Sequence, residues 1–123
     1  MLTIMSGQES SVTQIRIYQT KDNESPFEDW LDNLNDINAK ARILQRIDRI
    51  ALGNLGDCEP VGDGVHEVRI DYGPGYRIYF GNDGKTPVIL LCGGTKRHQG
   101  KDIRKAKGYW QDYKARKKPQ RLV

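Results

Sequence analysis

The residues of this chain best suited to chemistry are two arginines, Arg69 and Arg77, on either side of a Gly73-Pro74-Gly75 turn. Each arginine alternates with apolar residues, and this pattern is typical of a half-buried strand. Two guanidinium groups fixed on one face suit a polyanion, and particularly a phosphodiester under attack. The alternative is a cross-strand ion-pair ladder that only makes an exposed sheet face soluble.

The predicted strands Val65–Tyr72 and Tyr76–Asn82 form an antiparallel hairpin because their connection is so short. A hairpin symmetric about Pro74 predicts three pairs on the polar face: Arg77 with Asp71, Arg69 with Tyr79, and Glu67 with Gly81. The opposite face takes the apolar residues Val68, Ile70, Tyr72, Tyr76, Ile78 and Phe80, as a helix-covered face requires. Arg69, Arg77 and Glu67 are therefore expected to project together from the open side of the sheet.

A basic loop follows a third predicted strand, Pro87–Cys92. The paired glycines Gly93-Gly94 allow a sharp turn, after which Lys96 and Arg97 can hold phosphate. His98 is the group in this loop that titrates near neutral pH, although a lone loop histidine is more often an ordinary surface residue. The loop is not a P-loop, because the G-x-x-x-x-G-K-[ST] spacing is absent.

Charge is distributed unevenly along the 123 residues, which carry +4 in total. Residues 96–123 contain eleven lysines and arginines against two aspartates, a net charge of +9. Such a segment is typical of a protein that binds a polyanion, or of one covered by an acidic protein. The exposed candidates for RNA contact are Arg97, Lys101, Arg104 and Lys105. A solvated helix face with a frayed basic end is the alternative.

The remaining elements are read from periodicity. Gln14–Gln19 predicts a first strand, and Ser25-Pro26 opens a helix whose apolar stripe is Phe27, Trp30, Leu31 and Leu34. A second helix over Ala39–Leu52 buries Ile43, Leu44, Ile47, Ile50 and Ala51, and a last helix covers Lys101–Tyr113. Residues 54–64 read as a loop.

The predicted fold is therefore α+β with the order β-α-α-β-β-β-α. A mostly antiparallel sheet carries the helices on one face, with a helical hairpin and a C-terminal helix. We expect one domain, with residues 1–13 a flexible tail and residues 114–123 a frayed basic tail.

Several classes of protein are disfavoured. The sequence has no apolar run long enough to span a membrane, and residues 1–12 are too polar for a secretory signal. Cys58 and Cys92 stand apart and predict reduced thiols of a cytoplasmic protein rather than a disulfide framework. Cysteine and histidine lack metal-ligand spacing, so no metal site and no cofactor are expected.

The chain resembles the RelE/ParE toxin superfamily, and most closely its phage-derived, HigB-like addiction module killer branch. The matching segments appear in the expected order over about residues 14–110: 27–31, 53–57, 64–70, 72–80, 91–96, Gln99 and 102–103.

The resemblance implies a bacterial, cytoplasmic toxin of a type II toxin-antitoxin system. It implies a cognate helix-turn-helix antitoxin, HigA-like, through which the pair can bind operator DNA. Members of the cleaving branch are mRNA interferases that cut mRNA on the ribosome without a metal. In them the 2′-OH attacks the adjacent phosphate and leaves a 2′,3′-cyclic phosphate. The ParE branch instead inhibits DNA gyrase, which is the alternative function here.

In the cleaving reading, Arg69 and Arg77 stabilise the phosphorane and Lys96 assists. His98 or Tyr109 are the candidates for proton transfer, and Glu67 is a possible base. Tyr109 falls inside a predicted helix, where a tyrosine is more often packed against the sheet than catalytic.

Overall fold

The computed structural model describes residues 14–82 and 87–117. The strands are β1 (Ile15–Ile17), β2 (Cys58–Gly62), β3 (Val65–Ile70), β4 (Tyr76–Gly81) and β5 (Val88–Thr95). The helices are α1 (Pro26–Asp32), α2 (Ile37–Ala51) and α3 (Gln99–Lys117), and a 3₁₀ turn over Lys96–His98 joins β5 to α3. The fold is α+β, as predicted.

The five strands form one mixed sheet in the order β1-β5-β4-β3-β2. β1 runs parallel to β5, and the other neighbours are antiparallel. β2 was missed in the sequence, where residues 54–64 read as a loop. It pairs with β3 as an edge strand with a register shift between Pro60 and Gly62. Proline is tolerated on an edge, so pairing with β3 outweighs a local sequence that disfavours a strand.

Side-chain caps fix the starts of the first two helices. The Ser25 hydroxyl accepts a hydrogen bond from the Glu28 amide at 3.3 Å, and Pro26 occupies the first turn, as predicted. α2 begins at Ile37, two residues before the predicted start, because the Asp36 carboxylate caps it. Leu44, predicted to be buried, is 50% exposed because it lies off the face that packs on the sheet.

Helices cover both faces of the sheet, so the expectation that all lie on one face is wrong. α1 and α2 pack on the predicted apolar face of the β3–β4 hairpin, over Val68, Ile70, Ile78 and Phe80. α3 packs on the opposite face through Ala106 and Trp110, against residues that include Val65, Tyr79 and Leu91. Part of the face predicted to be open is therefore a second core.

Two glycines in the strands accommodate the two tryptophans. A Cβ on Gly81 would lie 2.5 Å from Cζ3 of Trp110, and a Cβ on Gly93 would lie 2.5 Å from Cδ2 of Trp30. Either contact is too close for a side chain larger than hydrogen. Trp110 packs from the α3 side and Trp30 from the α1 side, so each helix layer has one aromatic ring set into a gap in the sheet.

The chain ends follow the prediction only in part. α3 begins at Gln99 and continues to Lys117, so residues 114–117 are helical and not a frayed tail. The predicted tail over residues 1–13, residues 118–123 and most of the predicted turn at residues 82–85 lie outside the described residues. Among the described helices, none is long and apolar enough to cross a membrane.

Candidate functional site

The β3–β4 hairpin places Arg69 and Arg77 side by side, but in a register different from the predicted one. The observed pairs are Arg69 with Arg77, Glu67 with Tyr79, and Val65 with Gly81. The predicted centre at Pro74 was wrong because the turn is built on Gly73 and Gly75, with φ of 56° and 82°. Each partner moves by two residues, an even number, so every side chain stays on its predicted face.

Glu67 is the centre of a buried polar network on this face. Its side chain is 1% exposed, and its two oxygens accept four hydrogen bonds. Oε1 accepts from Arg69 Nη1 at 3.3 Å and from Arg77 Nη1 at 3.2 Å. Oε2 accepts from the Tyr79 hydroxyl at 2.9 Å and from Gln99 Nε2 at 2.8 Å. Burial raises the pKa of Tyr79, and the hydrogen bond to the Glu67 carboxylate raises it further, since both oppose loss of the phenolic proton.

This network makes Glu67 a positioning residue. A carboxylate has about four lone-pair sites, and here all of them are used. Arg77, with 9% of its side chain exposed, has Glu67 as its ion-pair partner. Glu67, the base candidate predicted from the sequence, is therefore a buried anchor that fixes the direction of Arg77, and Gln99 ties it to the start of α3.

Arg69 is held from the other side by β2 and the segment before it. Its Nη2 lies 3.0 Å from Asp57 Oδ1 and 3.0 Å from Glu59 Oε2. The hydrogen bond to Glu59 raises the pKa of Arg69 most, and the bond to Asp57 raises it further. In return, the hydrogen bond from Arg69 lowers the pKa of Asp57. Arg69 thus remains a cation, and its side chain is 28% exposed.

The two arginines and Lys96 line one cavity of about 250 Å³, here called the arginine cavity. Its wall is completed by Asp57, Ile70, Asp71 and Gly75. Lys96 is exposed and begins the 3₁₀ turn, which passes next to Gly75. The backbone N–H of Lys96 donates a hydrogen bond of 2.8 Å to the carbonyl oxygen of Gly75, and this bond holds the turn beside the cavity. Arg69 and Arg77 therefore lie together on one face, as predicted, and Lys96 lines the same cavity.

The predicted proton-transfer residues His98 and Tyr109 line a different cavity, of about 350 Å³, here called the tryptophan cavity. It lies between α1, the end of β5 and the first turns of α3, and its wall includes Trp30, Lys101, Asp102 and Lys105. Tyr109 is half-buried and stacks on Tyr18 at 5.2 Å between ring centroids. Burial raises the pKa of Tyr109, so its hydroxyl keeps its proton at neutral pH.

The other predicted RNA contacts lie on the surface. Arg97 and Arg104 are exposed and line neither cavity, whereas Lys101 and Lys105 stand at the rim of the tryptophan cavity. No group of three or more potential metal ligands occurs within residues 14–82 and 87–117. Both cysteines are free thiols, and burial raises the pKa of Cys92 to about 12.

Comparison with known proteins relates the chain to a protein of no assigned role. No family model matches the chain. An uncharacterized protein of Haemophilus influenzae strain Rd is 52% identical to it over 81 residues, which cover 66% of this chain and 82% of that protein. The chain belongs to the same family as this Haemophilus protein.

The residues of the site that sequence reasoning missed include Asp57, Tyr79, Gln99 and Asp102. Tyr79 follows the same alternation as Arg77, and this signal was available in the sequence. Asp57 enters only through the unpredicted β2. Gln99 and Asp102 are brought to the sheet by α3, whose position on the second face no local pattern indicates.

Proposed function

We propose that this protein is the toxin of a type II toxin-antitoxin system that cleaves mRNA on the ribosome without a metal, and that a cognate antitoxin neutralises it. The observation that supports this most is the arginine cavity, into which Arg69, Arg77 and Lys96 converge. A cavity with three cations from two strands and a turn suits a phosphodiester and its transition state. The RelE/ParE-like sequence segments give the proposal its biological context.

The reaction would use these residues in distinct roles. The 2′-oxygen forms a bond to the adjacent phosphorus while the bond from phosphorus to the 5′-oxygen breaks, leaving a 2′,3′-cyclic phosphate. Arg77 and Arg69 stabilise the extra negative charge of the pentavalent phosphorus, since an arginine cannot usefully give up its proton. Glu67 keeps Arg77 aimed into the cavity, so no reorganisation is needed when the charge develops.

Two groups of the same cavity suit the proton transfers. Asp57 is engaged with Arg69, whereas Asp71 forms no ion pair within the described residues, so Asp71 is the acceptor for the 2′-hydroxyl proton. Lys96 is exposed and carries a transferable proton, so it serves the leaving 5′-oxygen. These assignments replace His98 and Tyr109, which line the other cavity.

The test is inducible expression followed by primer extension on cellular mRNA. It compares the wild type with Lys96→Ala and with Arg97→Ala, a substitution at the next position of the chain. Lys96 and Arg97 are both exposed in the same turn, but only Lys96 lines the arginine cavity. We expect Lys96→Ala to reduce cleavage on the order of 100-fold, as the loss of one transition-state donor does, and Arg97→Ala to reduce it by less than about tenfold.

Other outcomes separate the proposal from its rival. Growth arrest without mRNA cuts would refute the nuclease and favour the gyrase-inhibiting alternative, which the exposed basic residues Arg97 and Arg104 could serve. Cuts that are lost equally in Lys96→Ala and Arg97→Ala would refute the arginine cavity as the place of reaction. An absence of growth arrest in the wild type would contradict the toxin itself.

A further inference from the structure

The tryptophan cavity contains a carboxylate, Asp102, that accepts no side-chain hydrogen bond from residues 14–82 and 87–117. Asp102 is half-buried, and a Cβ at Gly94 would lie 2.8 Å from its Cγ, so the carboxyl group rests directly on the strand. Its side chain makes no hydrogen bond or ion pair with any described residue. Burial raises the pKa of Asp102, and this is only partly offset by Lys105, His98 and Lys101. A half-buried acceptor without a donor suits a ligand that supplies N–H groups.

The rest of the wall indicates the other parts of such a ligand. Trp30 and Tyr109 are half-buried aromatic side chains on opposite sides, from α1 and α3. The basic side chains Lys101 and Lys105 also line the cavity, together with His98. A ligand matched to this lining has a flat ring with N–H donors at one end and a negative charge at the other. A cavity of about 350 Å³ lies in the range that holds such a small molecule.

We propose that the tryptophan cavity is a nucleotide subsite, in which Asp102 accepts hydrogen bonds from the Watson–Crick edge of a guanine. Guanine offers two adjacent donors, N1–H and the N2 amino group, which match the two oxygens of one carboxylate. The base packs against Trp30 or Tyr109, because aromatic side chains recognise unstacked bases in this way. Lys101 and Lys105 take the phosphate.

The position of the subsite connects it to the arginine cavity, and in this respect the inference rests on the proposed function. Gly94, under Asp102, is the cross-strand partner of Arg77. Lys96 and His98, two residues apart in one turn, line the two cavities respectively. An RNA strand crossing the turn would place its scissile phosphate beside Arg77 and a neighbouring base beside Asp102. The cavity thus reads a nucleotide next to the cut.

Binding of free nucleotides tests the subsite without any cleavage. The chain has two tryptophans, of which Trp30 lines the cavity and Trp110 is 1% exposed, so two indole N–H signals in a ¹H–¹⁵N NMR spectrum report separately. Titration with guanosine monophosphate should shift the Trp30 signal and leave that of Trp110 unchanged. Inosine monophosphate, which lacks the N2 amino group, and uridine monophosphate should bind at least about tenfold more weakly, since a hydrogen bond to a charged group is lost.

Two isosteric variants make the test specific. Asp102→Asn should weaken guanosine monophosphate at least about tenfold and remove its advantage over inosine monophosphate. Asp48→Asn, an exposed position on α2 outside the cavity, should bind as the wild type does. Equal affinity for all three nucleotides, or an unchanged preference in Asp102→Asn, would overturn the assignment.

Cleavage of mRNA on ribosomes separates this inference from the proposed function. If the nuclease reading holds, cuts by the wild type should carry guanine at a fixed position beside the broken bond, and Asp102→Asn should relax that preference. A preference retained in Asp102→Asn refutes the subsite alone. Selective binding of guanosine monophosphate by a protein that makes no cuts refutes the nuclease alone.

Discussion

Replacing Glu67 should destabilise the protein more than replacing any exposed acidic residue of the same face. Glu67→Ala leaves the side chain of Arg77, 9% exposed, without its counter-ion, and removes the acceptor of Tyr79 and Gln99. Removing one partner of a buried ion pair costs about 3 to 5 kcal/mol, a large share of the stability of a small domain. We therefore expect Glu67→Ala to be folded only marginally.

Glu67→Gln isolates the charge from the shape. The Tyr79 hydroxyl can rotate to accept, and the Gln99 amide can turn over, so an amide at position 67 can keep most hydrogen bonds. What is lost is the negative charge that strengthens the hydrogen bonds from Arg69 and Arg77, and this loss lowers the free energy of unfolding by about 2 kcal/mol. With a urea slope of about 1 to 2 kcal/mol/M, the unfolding midpoint falls by about 1 to 2 M.

The assay is urea unfolding followed by tryptophan fluorescence, with Glu59→Gln as the matched control. Glu59 also pairs with Arg69, at 3.0 Å, but its side chain is 59% exposed, so water replaces the lost partner and the midpoint should stay near that of the wild type. Equal midpoints for Glu67→Gln and Glu59→Gln would refute the network as a buried anchor. Additive losses in Glu67→Gln/Tyr79→Phe would show that the two side chains do not act together.

Three further substitutions test the packing that positions the site. Gly81→Ala drives a methyl group into the ring of Trp110 and should cost at least about 2 kcal/mol in urea unfolding; a neutral result would contradict that contact. Ser25→Ala removes the cap of α1 and should cost about 1 kcal/mol by the same assay, whereas no loss would show that the cap is dispensable. Asp102→Asn should raise stability at pH 7, because burial raises the pKa of Asp102 and its charged form is disfavoured in the fold. The gain should vanish as the pH falls below 3.8, where the wild-type group is protonated in both states, and a gain that grew in acid would have the wrong sign.

What the sequence predicts well in this protein is set by short-range chemistry. Ser25-Pro26 specifies the start of α1, and strict alternation specifies which side chains of the hairpin share a face. Alternation determines which face each side chain takes but not which residues pair across the two strands. That register depends on the backbone conformation of Gly73 and Gly75, which the alternating pattern does not reveal. The arginines were therefore placed on the right face and opposite the wrong partners.

The features that the sequence did not predict arise from contacts between distant segments. β2 contains Pro60 and ends at Gly62, residues that disfavour a strand, and it exists because β3 offers it an edge. Gln99 meets Glu67 across 32 positions of sequence. α3 covers the second face because Trp110 fits over Gly81, a match of shapes that appears only when the helix is docked.

The central position of β5 has a consequence for how the protein is made. β5 is the last strand of the sheet in chain order, yet it joins β1 to β4, and both Trp30 and Asp102 pack on its glycines. During synthesis α1 and α2 leave the ribosome before β5, so their core lacks Val88 and Leu90 until that strand has emerged. Lys96 and Gln99 follow still later. A nascent chain interrupted before β5 would therefore lack the strand that joins β1 to β4, and it would lack Lys96 in the wall of the arginine cavity.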